Sequence, residues 1–260
     1  MSIRHVPAAA LFLGVCAGAA AAQDSSLQLT FGHLDVDSGL SDRDYASAFL
    51  RHGVSSGTEL LFEVATQSRE EDASFLSFGA AVDIGGGSSV SVSLGGSDSD
   101  LGIYPEWTVA LGYEFVTPPA TGLVYRAGLS YADYANGTES TTLSGEAVKF
   151  FPAFADGSFL VGQVGGSLVS SEPGSETGWS ATAAVTYVQP GSWSVGLSAS
   201  TGTIGYEPFN ASPVENDFVA LRPFVSFNAS EATEIIVSAE YVDTETFDIS
   251  GVALGLKLDF

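Results

Sequence analysis

Apolar and non-apolar residues alternate with a period of two along most of this chain, and helical spacing is hard to find. The last ten residues show the pattern best. Val252, Leu254, Leu256, Leu258 and Phe260 fall on one face, and Gly251, Ala253, Gly255, Lys257 and Asp259 fall on the other. Between Trp107 and Val116 one face carries Trp107, Val109, Leu111, Tyr113 and Phe115, and the other Thr108, Ala110, Gly112, Glu114 and Val116. Trp179, Ala181, Ala183, Val185 and Tyr187 repeat the pattern, as do Trp193, Val195, Leu197 and Ala199. Successive side chains of an extended strand point to opposite faces, so these segments predict half-apolar β-strands.

Fourteen such segments can be drawn: 27–33, 46–53, 58–66, 73–84, 88–95, 107–116, 122–133, 139–150, 158–168, 178–188, 192–201, 218–228, 233–242 and 250–260. Twelve is the alternative, because the first two and 139–150 carry the weakest pattern. Most are close to the roughly 9–11 residues that a tilted strand needs to cross a bilayer. With the amino end periplasmic, one set of connections is short: 54–57, 85–87, 117–121, 151–157, 189–191 and 229–232. The opposite set is mostly longer: 34–45, 67–72, 96–106, 134–138, 169–177, 202–217 and 243–249. The long set also holds most of the acid, from Asp35, Asp37, Asp42 and Asp44 to Asp243, Glu245 and Asp248. The short set holds only Asp156 and Glu231. Short turns at one end and longer loops at the other predict an all-β transmembrane antiparallel up-and-down barrel.

The amino end reads as an export signal. Arg4 and His5 precede an apolar stretch from Ala8 to Ala22, which ends in four alanines and is too short to span a membrane. Cleavage after Ala22 would leave 23–260 as the barrel domain. Cys16 raises a lipid-anchor alternative, but Val15 before it is a poor fit to that site. Residues 23–260 contain no cysteine, so an exported product has no disulfides to rely on. They hold no run of about 18 apolar residues, which excludes a membrane-spanning helix. All 31 acidic residues stand against eight basic ones in the whole chain, and the net charge of −23 argues against nucleic acid.

A barrel in lipid turns its apolar face outward and keeps small or polar residues inside. The non-apolar faces here are mostly Gly, Ala, Ser and Thr. Among them stand isolated charges: Glu59, Glu63, Glu114, Arg126, Arg222, Glu240 and Lys257. These are the expected lumen charges, and strand adjacency would bring Glu114 to Arg126 and Arg222 to Glu240. The aromatics Trp107, Tyr113, Phe115, Tyr125, Tyr131, Trp179, Tyr187, Trp193 and Tyr241 lie mainly near strand ends, as in interfacial girdles.

The last strand, Gly-Val-Ala-Leu-Gly-Leu-Lys-Leu-Asp-Phe at 251–260, resembles the terminal strand of bacterial outer-membrane proteins. That resemblance implies an outer-membrane location among lipid and lipopolysaccharide. It also implies an assembly signal, read by the barrel-assembly machinery, on Val252, Leu254, Leu256, Leu258 and Phe260. Tyr104-Pro105-Glu106-Trp107, Gly112-Tyr113-Glu114-Phe115 and Gly128-Leu129-Ser130-Tyr131-Ala132-Asp133-Tyr134 look like the middle of YaiO-like outer-membrane barrels. This second resemblance implies a fold and a location, and no catalytic residue.

Chemistry is sparse. His33 with Asp35 two residues on is the nearest thing to an acid–base pair, and His52 lies near a short turn. No motif accompanies either, so the chain is expected to be non-enzymatic. Asp35-x-Asp37, Asp42-x-Asp44, Glu70-Glu71-Asp72 and Asp98-x-Asp100 offer hard oxygen donors of the kind Ca²⁺ takes, but none forms an EF-hand loop. They read as solvated acidic loops, with no cofactor and no resident metal. A narrow porin-like channel that prefers cations is the expected role. A barrel that does not conduct is the alternative, and a secreted, sugar-binding β-sandwich is a third. Of the connections, 202–217 is the best suited to fold inward. The barrel and the sandwich separate on a gel: the protein should sediment with membranes, need detergent, and migrate differently before and after boiling. A chain that stays in aqueous buffer without detergent would exclude the barrel.

Overall fold

The computed structural model describes residues 25–37, 41–69, 72–100, 102–118, 121–152, 157–172, 176–204 and 216–260. The expected export signal at 1–22 lies outside them. So do Glu70, Glu71, Asp156, Glu207 and Glu215, and most of the 202–217 connection.

Fourteen strands follow one another: β1 (Ser26–Val36), β2 (Arg43–Ser55), β3 (Thr58–Ser68), β4 (Asp72–Gly85), β5 (Ser88–Ser97), β6 (Trp107–Val116), β7 (Leu123–Asp133), β8 (Glu139–Pro152), β9 (Phe159–Glu172), β10 (Glu176–Gln189), β11 (Trp193–Ile204), β12 (Asn216–Ser230), β13 (Thr233–Thr244) and β14 (Asp248–Asp259). Each pairs antiparallel with its sequence neighbours, and β1 pairs with β14, so the sheet closes on itself. The seam runs in register from Ser26↔Asp259 to Val36↔Ile249. Below it, Ser25 and Phe260 exchange both backbone hydrogen bonds, at 3.1 and 2.9 Å. Closure leaves no free sheet edge and rules out the two-sheet sandwich. Fourteen strands about 4.8 Å apart and tilted by about 40° enclose a cylinder roughly 28 Å across at the backbone.

All fourteen expected strands are present, and most run further than the alternation suggested. β1 continues to Val36 rather than 33, β2 begins at Arg43 rather than 46, and β9 runs to Glu172 rather than 168. The extensions lie at the end of the cylinder that carries the longer connections, here called the loop end. Apolar alternation stops there because the outward residues turn polar, yet the backbone ladder continues. Asp35, Asp44, Asp72, Glu172, Asp217, Asp243 and Asp248 therefore sit on strands, not in loops.

At the opposite, turn end the connections are tight. Gly85, Gly86 and Gly87 take φ values of 88°, 68° and 81°, a left-handed run that side chains resist. At Gly87 a Cβ would also meet the Val116 carbonyl oxygen at 2.4 Å.

The outward faces carry the apolar alternation. Val252, Leu254, Leu76, Phe78, Leu94, Leu111, Leu129, Leu143 and Val164 are all exposed on the outside. Aromatics bracket this belt. Tyr187 and Trp193 stack at 5.3 Å toward the turn end, and Trp107 and Tyr131 at 5.0 Å toward the loop end.

The inward faces are not only small and polar, as the sequence suggested. Where two or three apolar residues run together, one must point in: Phe75 beside Leu76, Phe224 beside Val225, Ile236 between Ile235 and Val237. Three inward rings lie flat on glycines of the next strand. A Cβ at Gly32, Gly95 or Gly196 would come within 2.3–2.5 Å of Tyr45, Phe75 or Phe224. A ring lying over a strand glycine covers backbone that would otherwise be bare.

Two buried apolar clusters sit at the loop end. One gathers Leu34, Val36, Tyr45, Ala220, Val242, Phe247, Ile249 and Ala253, with Phe218 against it. The other gathers Ala65, Ala73 and Tyr104, with Phe75 against it. Replacing Gly32 by Ala should push the Tyr45 ring out of the first cluster and cost about 1–3 kcal/mol by overpacking. Urea unfolding of the lipid-reconstituted barrel measures this. Adding Tyr45→Ala should remove most of the extra penalty.

Candidate functional site: the barrel lumen

All seven charges picked from the alternation face inward, and the strands bring most of them into contact. Glu114, Arg126 and Glu146 are direct partners across β6, β7 and β8. The Arg126 guanidinium donates from Nε to Glu114 at 2.7 Å and from Nη1 to Glu146 at 2.8 Å. Gln163 on β9 extends the chain, donating from Nε2 to the second Glu146 oxygen at 2.7 Å. On β12 and β13, Arg222 donates to Glu240 Oε1 from Nη2 at 2.6 Å and from Nε at 2.9 Å. The β12–β13 ladder skips the rungs at Arg222 and Pro223. Pro223 has no N–H to give, and the ion pair spans this gap.

Arg51 grips Glu59 through two parallel bonds of 2.7 Å. Lys257 donates to Asp259 at 2.9 Å. Glu63 is different: it stands opposite Ser77 on β4, and no ion pair reaches it among the described residues. Asp83 caps the Gly85 backbone N–H at 2.7 Å, at the turn end. These ion pairs thus occupy the middle and the turn end of the lumen, below the two apolar clusters.

Several residues of this lining escaped sequence reasoning, Arg51, Glu146, Gln163 and Tyr104 among them. Arg51 and Glu146 lie on strands whose outward sets, Ala46–Ala48–Leu50–His52 and Thr141–Leu143–Gly145–Ala147–Lys149, are too weakly apolar to fix a face. Gln163 is uncharged and drew no attention. Tyr104 lies in a connection, where alternation gives no signal.

The 98–106 connection turns inward and is stapled in place. Asp98 accepts the Ser74 N–H, Ser97 Oγ donates to the Pro105 carbonyl at 2.8 Å, and Ser99 Oγ accepts the Ile103 N–H at 2.8 Å. Gly102, at φ 74°, lets the chain reverse so that Tyr104 packs on Phe75 with ring centroids 5.4 Å apart. The inward fold expected of 202–217 cannot be placed, since 205–215 lie outside the described residues.

His33 faces outward near the loop end. Its Nδ1 lies 2.8 Å from Asp44, and its Nε2 lies 3.2 Å from Asp35. The ligand atoms of His33, Asp35 and Asp42 lie within 4.8 Å of one another, all on exposed side chains. His52 also faces outward, bonded to Ser25 at 2.7 Å near the turn end. Val252, Leu254, Leu256 and Leu258 face outward along β14. Phe260 ends the chain with 69% of its surface exposed.

No family model matches the chain, and no curated protein matches it. The fold does have solved counterparts. The structure is similar to one titled "Bacterial polysaccharide outer membrane secretin", with a TM-score of 0.61 at 9% identity, covering 91% of this chain and 98% of that one. It is similar to the Acinetobacter baumannii outer membrane protein Omp33, with a TM-score of 0.55 at 13% identity, covering 92% and 99%. A Pseudomonas putida F1 outer membrane channel gives 0.53 at 9% identity, covering 93% and 97%. At these identities the likeness is one of fold: the closed up-and-down barrel.

Removing Arg126 leaves Glu114 and Glu146 facing each other without their shared cation. Its side chain is 30% exposed, so water softens the penalty. Arg126→Met should cost about 1–3 kcal/mol in barrel stability. Glu114→Gln with Glu146→Gln in the same chain should recover part of it, read by the same urea unfolding.

Proposed function

We propose that this chain is an outer-membrane β-barrel that forms a narrow, cation-preferring channel and catalyses no reaction. The outward apolar belt between two aromatic girdles supports the membrane setting, because such a surface suits hydrocarbon and not water. In this reading the turn end faces the periplasm and the loop end faces outward among lipopolysaccharide. Val252, Leu254, Leu256, Leu258 and Phe260 serve as the signal for the assembly machinery. The YaiO-like affiliation belongs to the same reading and rests on the motifs at 104–107, 112–115 and 128–134.

One observation carries the cation preference. Lumen acids outnumber lumen bases, and four of the five bases are already engaged. Glu59, Glu63, Asp83, Glu114, Glu146, Glu234, Glu240 and Asp259 face inward against Arg43, Arg51, Arg126, Arg222 and Lys257. Arg51, Arg126, Arg222 and Lys257 each hold at least one carboxylate in an ion pair. The surplus is negative, and a low-dielectric wall focuses that field on whatever enters.

The two apolar clusters and the inward Tyr104 narrow the loop end, and this favours small conductance over wide diffusion. They also support the second reading, a barrel that stays closed. Planar-bilayer recording under a KCl gradient decides between them. The expected result is small unitary steps whose reversal potential lies toward that of K⁺. An anion-selective current would overturn the preference, and a silent bilayer with well-folded protein would favour the closed barrel.

A further inference from the structure

We propose that Glu63 and Phe49 form a binding site for organic ammonium ions half-way along the lumen; the proposal rests on the channel reading above. The two residues are direct partners in the β2–β3 ladder, and both face inward. Side chains in that relation stand about 5 Å apart at Cβ, close enough for one bound ion to touch both.

Glu63 is the middle residue of β3 (Thr58–Ser68) and is flanked on its inner face by Leu61 and Ala65. Its cross-strand neighbour on β4 is Ser77, directly opposite. No cation reaches it among the described residues, unlike Glu59, Glu114, Glu146 and Glu240. The far wall supplies none either. β10 lies half-way round the fourteen-strand ring from β3, and its inward residues are Gly178, Ser180, Thr182, Ala184, Thr186 and Val188.

Phe49 is different from its neighbours in a second way. The other inward rings are covered. Tyr45 lies over Gly32, Phe75 packs on Tyr104, Phe224 lies over Gly196, and Phe150 meets Phe159 at 6.2 Å. Phe49 keeps 38% of its surface open, the one inward ring among the described residues to stay more than a third exposed.

An uncompensated carboxylate beside an open aromatic face is a particular chemistry. A small hydrated metal ion gains from the charge but must shed water to use the ring. An alkylated ammonium is weakly hydrated, and it gains from the carboxylate and the ring together. Anions are repelled, and neutral sugars find one hydroxyl acceptor and little else. The geometry therefore selects amines and quaternary ammonium ions from the cations that enter.

Tetramethylammonium is the probe, with the purified full-length chain in two assays. Saturation-transfer NMR of its methyl protons, in deuterated detergent, reads binding without any current. In planar bilayers carrying K⁺ current, added tetramethylammonium reads block. Both signals are expected in the wild type, and the block should weaken about tenfold in Glu63→Gln, one decade in the dissociation constant. Phe49→Leu should weaken it about threefold, while Phe49→Tyr should retain it. A boiled-against-unboiled gel shows that each variant folds, and the Phe49 pair tests the site should Glu63→Gln fail to assemble.

Saturation transfer that is absent from the wild type, or that survives both Glu63→Gln and Phe49→Leu, overturns the site whatever the current does. Transfer that depends on both residues in a barrel that carries no current upholds the site and overturns the channel reading alone.

Discussion

Everything in this fold depends on the backbone pairing of β1 with β14. A strand facing hydrocarbon has no water to satisfy an open row of N–H and C=O groups, so a sheet in that setting must close. Here closure is complete. The seam holds register over eleven residues, and the exchange between Ser25 and Phe260 finishes it one residue below. The last strand is therefore both the clearest piece of alternation in the sequence and the piece without which the other thirteen strands form an open ribbon.

Closure then dictates how the interior is filled. A cylinder of this width is too large for inward side chains of ordinary size to pack throughout. Rings folded onto Gly32, Gly95 and Gly196 thicken the wall without crossing the lumen. Among the described residues the buried clusters form at the loop end, where Phe247 and Tyr104 reach in from connections. Elsewhere the lining is mostly Ser, Thr, Gly and Ala, interrupted by ion pairs and by inward apolar residues such as Phe49, Phe150, Phe159 and Ile236. Those pairs are only partly desolvated, and Arg126 and Arg222 each stay about one-third exposed. They serve less as cement than as a way to hold guanidinium groups against the wall and neutralise them there.

The strand count and the inward direction of the picked charges were legible because alternation is a backbone property. Glu114 and Arg126 sit opposite clean apolar faces, and nothing but the other side was left for them. Legibility failed where that contrast faded. On β8 the outward set is Thr141, Leu143, Gly145, Ala147 and Lys149, so Glu146 had no assigned face although it completes the best-connected network in the lumen. Phe49 hid for the opposite reason, since an aromatic in an alternating strand reads as lipid-facing until the register is known. The inward course of 98–106 was invisible, because it depends on Gly102 and three serine or aspartate staples that carry no periodicity.

The rim poses a question of charge that the lumen helps to answer. Asp133, Glu139 and Glu172 are direct cross-strand partners on the outer face, and Asp243 stands opposite Asp248. Like charges placed so cost stability, and a fold that only needed solubility could have scattered them. Water and salt screen each pair within about 8–10 Å, which keeps the cost small at the rim and would not do so in the belt below. Within that same distance the ring raises the local concentration of cations around the loop-end mouth. In the proposed channel, a lumen that ties Arg51, Arg126, Arg222 and Lys257 to carboxylates, and leaves the mid-depth acid Glu63 without an ion pair, would then meet an entering population already enriched in positive charge. Rim and lumen would then act in series on the same sign. On the proposed channel reading, a mouth of opposite sign would repel the cations that the lumen is proposed to favour.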